Sequence, residues 1–442
     1  MRTRSNKPRG ALREALIESL DHEGRGIARI DGKAVFIEGA LPGERVTWQA
    51  TRIKPNFEEG ETQAVLRESA DRVIPGCTFF GLCGGCAMQH ASPALQLAAK
   101  QRVLEDNLAR IGKVEPGQVL PPISGSPWGY RQRARLSVHF VPKKGGVLVG
   151  FRERKSSYVA DMASCEVLPR HIGHLITPLR EFMTTLDGRD RIPQIEVAIG
   201  ANVTVLVLRV LEPLSAADED RLRIFADAHR IQWWQQPKGP ETAVAWYPLD
   251  APALTYRLPE FDLELAFRPT EFTQVNHEIN ERMVKRAVDL LDPRAGEDVV
   301  DLFCGLGNFS LAIARRGANV VGVEGSEALV QRAGENAARN GLSDRARFFA
   351  ADLYTDPVRA VASLPKASKW LIDPPRDGAM EVCKLVDENT VKRIVYVSCN
   401  PSTLARDAEV LVNAKGYRLK AAGVVNMFPH TAHVESIAWF ER

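Results

Sequence analysis

The C-terminal third of the chain alternates short apolar runs with longer stretches in which apolar residues recur at helical spacing. Residues 297–302, 318–323 and 393–397 are short, apolar and rich in β-branched side chains, which is typical of buried strands. Residues 326–340 have the spacing of an amphipathic helix and lie between two such runs. This alternation predicts a doubly wound α/β sheet for residues 271–442.

The N-terminal part of the chain has a different pattern. Between residues 11 and 70, hydrophobic and polar positions alternate in short segments, and Asp31 with Gly32 is a hairpin signal. The pattern predicts a small five-stranded, OB-like barrel within residues 1–70, followed by a central α+β domain over residues 71–270. In the central domain, a helix is predicted from Pro93 to Ile111.

Composition adds little to this picture. A chain of 442 residues has room for two or three domains, and a net charge of +3 says little about nucleic acid. Residues 1–13 predict a basic arm, because they contain no acidic residue and carry Arg2, Arg4, Lys7, Arg9 and Arg13. No apolar run is long enough for a membrane span and no signal peptide is recognised, so we expect a cytoplasmic protein.

Cys399 lies at a position where nucleophilic chemistry is plausible. It follows the predicted strand 393–397, and Asn400 and Pro401 can cap and begin a helix directly after it. The positive pole of that helix is expected to lower the pKa of the thiol toward neutrality and to favour the thiolate. The alternative is a buried structural cysteine, the usual state of cysteines inside cells.

A glycine-rich turn follows the first predicted strand of the α/β sheet. Gly305 and Gly307 allow the backbone to approach a ligand closely at the N-terminus of the next helix. Glu324 ends the following strand about twenty positions later, a spacing at which a carboxylate receives ribose hydroxyls. Asp352 and Asp373 end two further strands, so the predicted rim is acidic and suits a cationic nucleoside such as S-adenosylmethionine. The alternative for these two aspartates is that they cap helices.

Four other cysteines form a second candidate site. Three have the spacing C-x5-C-x2-C and the fourth is distant in sequence: Cys77, Cys83, Cys86 and Cys165. Four thiolates can bind zinc or an iron–sulfur cluster, and the spacing does not choose between them. We do not expect a disulfide, because the cysteine count is odd and no secretory segment is recognised.

Two long segments carry a resemblance to a known family. The chain has DPPRDG at 373–378, followed by IVYVSCNPST at 394–403, and it has VNMFPHTAHVE at 425–435. These segments resemble the two signatures of RNA (uracil-5-)-methyltransferases, and the similarity extends along the whole chain. One residue departs from the family pattern: Asn426 stands where an aspartate is usual, which puts any electrostatic role of that position in doubt.

The resemblance implies a class I S-adenosylmethionine methyltransferase sheet, an N-terminal TRAM RNA-binding barrel and a central iron–sulfur domain. It implies that Cys399 adds to uracil C6 and that Glu435 is the general base that removes the C5 proton. Arg376 and Arg406 are expected either to hold phosphate or to support the loops. The implied contacts to S-adenosylmethionine are Gln274, Phe303, Asn308, Glu324, Asp352 and Asp373. The implied ligands of a [4Fe–4S] cluster are Cys77, Cys83, Cys86 and Cys165.

The resemblance also implies 23S ribosomal RNA as the partner and 5-methyluridine as the product. We expect a monomer that binds neither DNA nor a membrane. The nearest alternative is the same methylation at another ribosomal or transfer RNA site. A radical S-adenosylmethionine enzyme is more distant, because its C-x3-C-x2-C triad is absent. A non-catalytic RNA-binding protein would not require Cys399, Asp373 and Glu435 together.

Overall fold

The N-terminal module is a six-stranded sheet. The computed structural model describes residues 9–442, so Arg2, Arg4 and Lys7 of the predicted basic arm lie outside the described residues. The strands are β1 (Arg9–Leu16), β2 (Ser19–Leu20), β3 (Gly26–Ile30), β4 (Lys33–Glu38), β5 (Arg45–Ile53) and β6 (Phe57–Arg67). They lie in the order β1-β5-β6-β4-β3-β2, which is one short strand more than the sequence predicts.

Alternating buried and exposed positions along these strands produce a small core. Trp48 on β5 is fully buried with Val35 and Ile37 of β4. β3 and β4 form the predicted hairpin, in which Asp31 and Gly32 have φ angles of 50° and 78°. Positive φ at both central residues gives a turn whose twist matches that of the strands, and an Asp-Gly pair adopts it readily.

The central module is built on a second six-stranded sheet. The elements of residues 71–270 are α1 (Pro93–Asn107), β7 (Gln118–Val119), β8 (Arg133–Val141), β9 (Gly146–Gly150), α2 (Arg170–Gly173), α3 (Ile176–Thr185), β10 (Gln194–Ile199), β11 (Thr204–Arg209), α4 (Ala216–His229), β12 (Gln232–Gln236), β13 (Val244–Tyr247), β14 (Thr255–Leu258) and β15 (Leu263–Ala266). The sheet has the order β13-β12-β11-β10-β8-β9, and β14 pairs separately with β15. Helix α3 packs against β9 and α4 against β12.

The iron–sulfur character predicted for this module is not supported. The four cysteines line one cavity of about 340 Å³. Nevertheless, no three Cys, His, Asp or Glu side chains in residues 9–442 are arranged to hold a metal ion, and the cysteines are free. The prediction of an iron–sulfur domain with Cys77, Cys83, Cys86 and Cys165 as ligands is therefore wrong for this fold.

Burial governs the ionisation of two of these cysteines in the protein alone. It raises the pKa of Cys86 to about 11 and that of Cys165 to about 12. The spacing C-x5-C-x2-C specifies residue types, but it does not specify the distances between their sulfur atoms.

The C-terminal module is the doubly wound sheet that the sequence predicts. Its elements are α5 (His277–Leu291), β16 (Asp298–Leu302), α6 (Ser310–Arg315), β17 (Asn319–Glu324), α7 (Glu327–Arg339), β18 (Ala346–Ala350), α8 (Pro357–Ala362), β19 (Lys369–Ile372), α9 (Met380–Leu385), β20 (Arg393–Ser398), α10 (Pro401–Glu409), β21 (Arg418–Val425) and β22 (Glu435–Glu441). The strand order is β18-β17-β16-β19-β20-β22-β21-β7. Strands β16 to β20 are parallel, and β22 is antiparallel to both of its neighbours. Among the helices of residues 9–442, none is long and apolar enough to cross a membrane.

Two elements from the central region belong to the C-terminal module: β7 extends its sheet, and α1 packs into its hydrophobic core. β7 pairs in parallel with β21 through Gln118 and Val119. Leu104 of α1 is buried in the same core as Tyr396 and Phe440. The C-terminal module thus shares its hydrophobic core with α1. The predicted domain boundaries at residues 70 and 270 stay predictions.

Two glycines of this module should respond in opposite ways to an added methyl group. Gly334 is exposed inside α7 and a Cβ there meets no atom within 4 Å, so Gly334→Ala should stabilise by about 0.5–1 kcal/mol. In β17, a Cβ on Gly322 would lie 2.5 Å from Phe348 Cδ1, so Gly322→Ala should destabilise by about 1–3 kcal/mol. Urea unfolding followed by tryptophan fluorescence measures both, and shifts of the same sign would contradict this packing.

Candidate active site

The register between β20 and β22 brings the two predicted catalytic residues together. Ser398 pairs with Ser436 across this antiparallel ladder, so Cys399 and Glu435 lie opposite each other at its end. On the other side of β22, Val425 pairs with Glu435, which fixes the carboxylate between two strands. Both Cys399 and Glu435 line one cavity.

Cys399 lies in the strand-to-helix turn that the sequence predicts. Asn400 caps α10, because its side-chain oxygen accepts a hydrogen bond from the Ser402 N–H at 3.1 Å, and the following proline begins the helix. Asn400 Nδ2 also donates to the Arg376 carbonyl at 3.1 Å. The loop after β19 is thereby tied to the turn that carries the thiol.

Helix α10 supports the same loop from within. Asp407 is fully buried and accepts a hydrogen bond from the Tyr396 hydroxyl at 2.7 Å. Arg406 donates to the Asp377 carbonyl at 2.8 Å and to Asp407, so its position matches the expected role of loop support. Arg376 is instead exposed and lines the mouth of the cavity.

The ionisation of Cys399 differs from the sequence-based expectation. Burial and the neighbouring Glu435 and Asp373 raise the pKa of this thiol to about 11, and Arg376 offsets only part of that rise. These effects on the pKa outweigh the lowering expected from the positive pole at the N-terminus of α10. The free protein therefore holds a neutral Cys399 thiol at neutral pH. Burial also raises the pKa of Glu435 to about 7 and that of Asp373 well above its usual range.

A cavity of about 610 Å³ opens beside these groups at the carboxyl ends of the parallel strands. The glycine loop after β16 borders it, and Gly305 donates its N–H to Glu324 Oε2 at 3.1 Å. Phe303 has a φ angle of 63°, a left-handed conformation that costs a non-glycine residue on the order of 1–3 kcal/mol. Its ring lies 5.6 Å from that of Tyr354. Backbone strain of this kind concentrates at ligand sites.

The structure brings all six predicted cofactor contacts to this cavity. They are Gln274, Phe303, Asn308, Glu324, Asp352 and Asp373. The segment with Gln274 is held from β8, because the Arg133 guanidinium donates to the carbonyls of Pro269 and Glu271. The Arg133 guanidinium therefore makes its hydrogen bonds within the protein and supports the segment that carries Gln274.

Asn308 is already engaged by protein. Its side-chain amide exchanges hydrogen bonds with Asn280 at 2.9 Å and accepts one from the Tyr256 hydroxyl at 2.8 Å. Tyr256 and Asn280 are buried, so Asn308 anchors the glycine loop to the protein interior as well as lining the cavity.

The two aspartates for which helix capping is the alternative differ in their hydrogen bonds. Asp352 accepts hydrogen bonds from the N–H groups of Tyr354 and Thr355, both at 2.8 Å, so it closes a turn. The Asp373 side chain makes no hydrogen bond to any residue from 9 to 442 and is free to meet a ligand. Neither aspartate caps a helix, because the N-cap of α8 is Asp356 and that of α9 is Ala379.

The cavity fits S-adenosylmethionine in size and chemistry. Its volume lies within the range of about 300–1,000 Å³ that is common for ligand sites. Glu324 and Asp373 offer carboxylates to ribose hydroxyls and to a cation, while Leu306, Leu329 and Leu353 offer apolar surface to an adenine.

Comparison with known proteins agrees with this geometry. Residues 249–442 match the family described as tRNA (Uracil-5-)-methyltransferase, and residues 7–62 match the TRAM domain. A protein of Nitrosospira multiformis named 23S rRNA (uracil(1939)-C(5))-methyltransferase RlmD is 59% identical over 429 residues, covering 97% of this chain and 98% of the relative. The chain belongs to the RNA (uracil-5-)-methyltransferase family. A protein of the same name from Thiobacillus denitrificans is 60% identical over 427 residues, covering 96% of this chain and 99% of the relative.

A solved member of this family has the same fold. The tRNA (uracil-54, C5)-methyltransferase of Pyrococcus abyssi, in complex with S-adenosyl-L-homocysteine, superposes with a TM-score of 0.74 at 24% identity. The alignment covers 97% of this chain and 100% of that structure. The predicted class I methyltransferase sheet and TRAM barrel are confirmed for this uracil-5-methyltransferase.

Sequence reasoning missed two buried residues near the site, Lys100 and Tyr256. Lys100 left a detectable signal, because Gln96, Lys100 and Leu104 recur every four residues and form one buried face of α1. A lysine on an otherwise buried helical face requires a specific partner. Tyr256 has no such signal in the sequence, because it acts by donating a hydrogen bond to Asn308, which lies far along the chain.

The raised pKa of Cys399 predicts slow alkylation of the free methyltransferase. Since the thiolate is the reactive form, alkylation by iodoacetamide should accelerate about tenfold per pH unit between pH 7 and 10. Asp373→Asn removes a carboxylate that disfavours the thiolate and should accelerate alkylation several-fold in the part of this pH range where that carboxylate is ionised, whereas Asp352→Asn, on the exposed rim, should not. Peptide mass spectrometry distinguishes Cys399 from the other cysteines. A rate that levels off near pH 7 would show that this thiol is activated instead.

Proposed function

We propose that the protein methylates C5 of a uracil in 23S ribosomal RNA, at the position that corresponds to uracil 1939 in the names of its relatives. The observation that carries this proposal is the juxtaposition of Cys399 and Glu435 beside a nucleoside-sized cavity. Methylation of a nitrogen or oxygen needs no protein nucleophile, because those atoms carry lone pairs. Uracil C5 carries no lone pair and must be activated, so a thiol beside the cavity favours methylation of carbon.

Cys399 is the nucleophile of the proposed reaction. After the thiol loses its proton, Sγ adds to uracil C6, and the electron pair of the C5–C6 bond moves toward O4. The resulting enolate is nucleophilic at C5. Glu435 and Asp373 are the carboxylates that surround the thiol, and their negative charge disfavours the thiolate until the site is filled.

The methyl group comes from S-adenosylmethionine, which supplies an electrophilic carbon and a positive charge. Asp373 and Glu324 would hold it from the ends of β19 and β17, and Gln274 would close the other wall. Because the Asp373 side chain makes no hydrogen bond to any residue from 9 to 442, its carboxylate is available for this contact.

Glu435 is the base of the second half of the reaction. Once C5 carries the methyl group, its proton must leave so that the C5–C6 double bond reforms and Cys399 is expelled. Glu435 suits this task because its Oε2 atom has no hydrogen-bond partner in residues 9–442 and the side chain is 3% exposed. A pKa raised to about 7 makes the carboxylate a stronger base than an exposed glutamate.

The surroundings of the cavity suit an extruded nucleotide. A uracil inside a duplex cannot present C6 to a thiol, so the base must be unpaired or flipped out. Arg376 is exposed at the cavity mouth and can meet a phosphate, and Phe272 is 70% exposed and offers a stacking face. The TRAM domain matched at residues 7–62 adds a second surface that can contact RNA.

Transfer RNA is the second candidate substrate, because the matching family and the solved relative carry transfer RNA in their names. The reaction would be unchanged and only the RNA would differ. The names of the matching family and of the relatives describe uracil-5 methylation and give no support to the radical alternative. We place the activity in the cytoplasm, where ribosomal RNA is found. That the protein is a monomer and does not bind DNA stays a prediction.

The substrate can be decided by one labelling experiment. Purified protein and S-adenosylmethionine carrying a labelled methyl group are incubated with unmodified 23S ribosomal RNA and, separately, with transfer RNA. Nucleoside analysis should find labelled 5-methyluridine in the ribosomal RNA alone. Label in transfer RNA would replace the substrate but keep the mechanism, and labelled 5-methylcytidine would refute the proposed function.

The catalytic roles can be separated by trapping. Cys399→Ala should lower turnover by about a thousandfold or more, because the covalent route is lost, while binding of S-adenosylmethionine persists. Glu435→Gln should accumulate a covalent RNA adduct on a denaturing gel, since methylation precedes proton removal. Glu441→Gln, on the same strand but outside the cavity, is the matched control and should accumulate none. Absence of an adduct with Glu435→Gln would assign the base elsewhere.

A further inference from the structure

Lys100 is a buried lysine for which the proposed reaction has no role so far. It lies on α1 and is 2% exposed. Its Nζ atom donates to Asn426 Oδ1 at 2.7 Å and to the Phe428 carbonyl at 2.8 Å. Both acceptors are neutral, so within residues 9–442 the ammonium group has no counterion in direct contact. Burial of an ammonium group without a counterion is costly, which indicates a specific use.

Glu435 is the nearby carboxylate whose charge acts on this ammonium group. Asn426 directly follows Val425, and Val425 is the strand partner of Glu435. The hydrogen bond from Lys100 to Asn426 therefore holds the cation at the end of β21, one residue beyond the strand partner of Glu435. Glu435 is buried and its Oε2 atom is unpartnered, so neighbouring charge has a large influence on its ionisation.

We propose that Lys100 is a positioning residue whose buried positive charge keeps Glu435 ionised and able to accept the C5 proton. This inference rests on the proposed function. In the step concerned, the C5–H bond breaks and its proton moves to a Glu435 oxygen. The electrons of that bond reform the C5–C6 double bond, and the C6–S electron pair leaves with Cys399. Lys100 acts through space and touches neither the uracil nor the reacting atoms.

The charges around the pair agree with this role. Burial lowers the pKa of Lys100 to about 7 and the nearby Glu435 opposes that shift. Burial raises the pKa of Glu435 to about 7 and Lys100 opposes that shift. Each group therefore helps the other to remain charged, and the pair titrates as a coupled unit.

Four other titratable groups face the pair. Asp373 and Cys399 lie on the Glu435 side, and both are disfavoured as anions by burial and by Glu435. His430 and His433 lie on the Lys100 side. Burial, with the charge of Lys100, lowers the pKa of both imidazoles, that of His430 to about 4, so they stay neutral near pH 7. Lys100 is therefore the cation that acts on Glu435 in that range.

The test measures how fast the covalent enzyme–RNA adduct decays at different pH values. Wild-type protein is mixed rapidly with 23S ribosomal RNA and S-adenosylmethionine, and the adduct is followed on denaturing gels. In the adduct Cys399 is bonded to C6 and cannot titrate. The decay rate should rise with pH through about 7, as Glu435 becomes ionised.

Lys100→Met removes the charge and keeps a long side chain of similar shape. In this variant the pH-dependent rise of the adduct decay rate should move to higher pH by at least about one unit. Adduct decay should therefore slow about tenfold at pH 6.5 and recover at high pH. Asn426→Asp is a second variant, which keeps the contact and adds a negative charge that offsets the effect of the ammonium group on Glu435. It should shift the profile in the same direction even if Lys100→Met folds poorly.

Gln96→Leu is the matched control. Gln96 lies one turn before Lys100 on α1, accepts the His430 N–H at 2.8 Å and donates to the Ala91 carbonyl at 2.9 Å. It anchors the same segment between β21 and β22 without carrying charge. Its replacement should slow decay, if at all, by the same factor at every pH.

The outcomes separate this inference from the proposed function. If wild-type protein forms no 5-methyluridine in 23S ribosomal RNA, or if Glu435→Gln traps no adduct, the proposed function fails. If both succeed but Lys100→Met and Asn426→Asp leave the pH of the rise unchanged, Lys100 only holds the segment and the inference is overturned. An upward shift in both variants, absent in Gln96→Leu, supports it.

Discussion

The antiparallel ladder between β20 and β22 sets the distance between the thiol and the carboxylate on which the chemistry depends. Side chains along a strand alternate between faces, so a slip of one residue would turn Glu435 away from Cys399. β22 lies between β20 and β21, and both neighbours specify the same register. Residues 435–438 are buried, so a slipped strand would also have to bury a different set of side chains. The proposed catalytic pair is therefore held by two strands of the hydrophobic core, with Cys399 directly after the end of β20.

Holding acidic groups together in this way has an electrostatic consequence. Asp301, Asp373, Glu435 and Cys399 are all disfavoured as anions by burial, and nearby negative charge adds to the effect for Asp301, Asp373 and Cys399. An empty site of this kind retains protons, because several anions in a medium of low dielectric constant repel strongly. A ligand that brings positive charge reverses the balance. The same carboxylates that disfavour the Cys399 thiolate in the free protein thus favour a sulfonium cofactor, and under the proposed mechanism the thiol becomes reactive when the site is filled.

The sequence predicts well those features that local rules determine. The succession of strand, glycine loop, helix and strand follows from alternating periodicity, and Asn400 caps α10 as its residue type and position indicate. The hairpin at Asp31 and Gly32 follows from turn chemistry. Local rules fail where three-dimensional distances decide. The four cysteines share a cavity without forming a metal site, and Cys399 is governed by residues from other strands rather than by the helix it precedes.

Lys100 shows the same limit most clearly, because its hydrogen-bond partner Asn426 lies 326 positions away. No pattern within α1 identifies that partner, although the buried face of the helix shows that one is needed. The family match begins at residue 249, yet the sheet it covers is completed by β7 and its core by α1. A charge that acts through a protein interior must stay at a fixed distance, since its effect falls off with separation. Leu104, packed against the catalytic sheet, supplies that fixation for Lys100. If Lys100 has the proposed role, the unit that performs the chemistry extends beyond the matched segment to include α1.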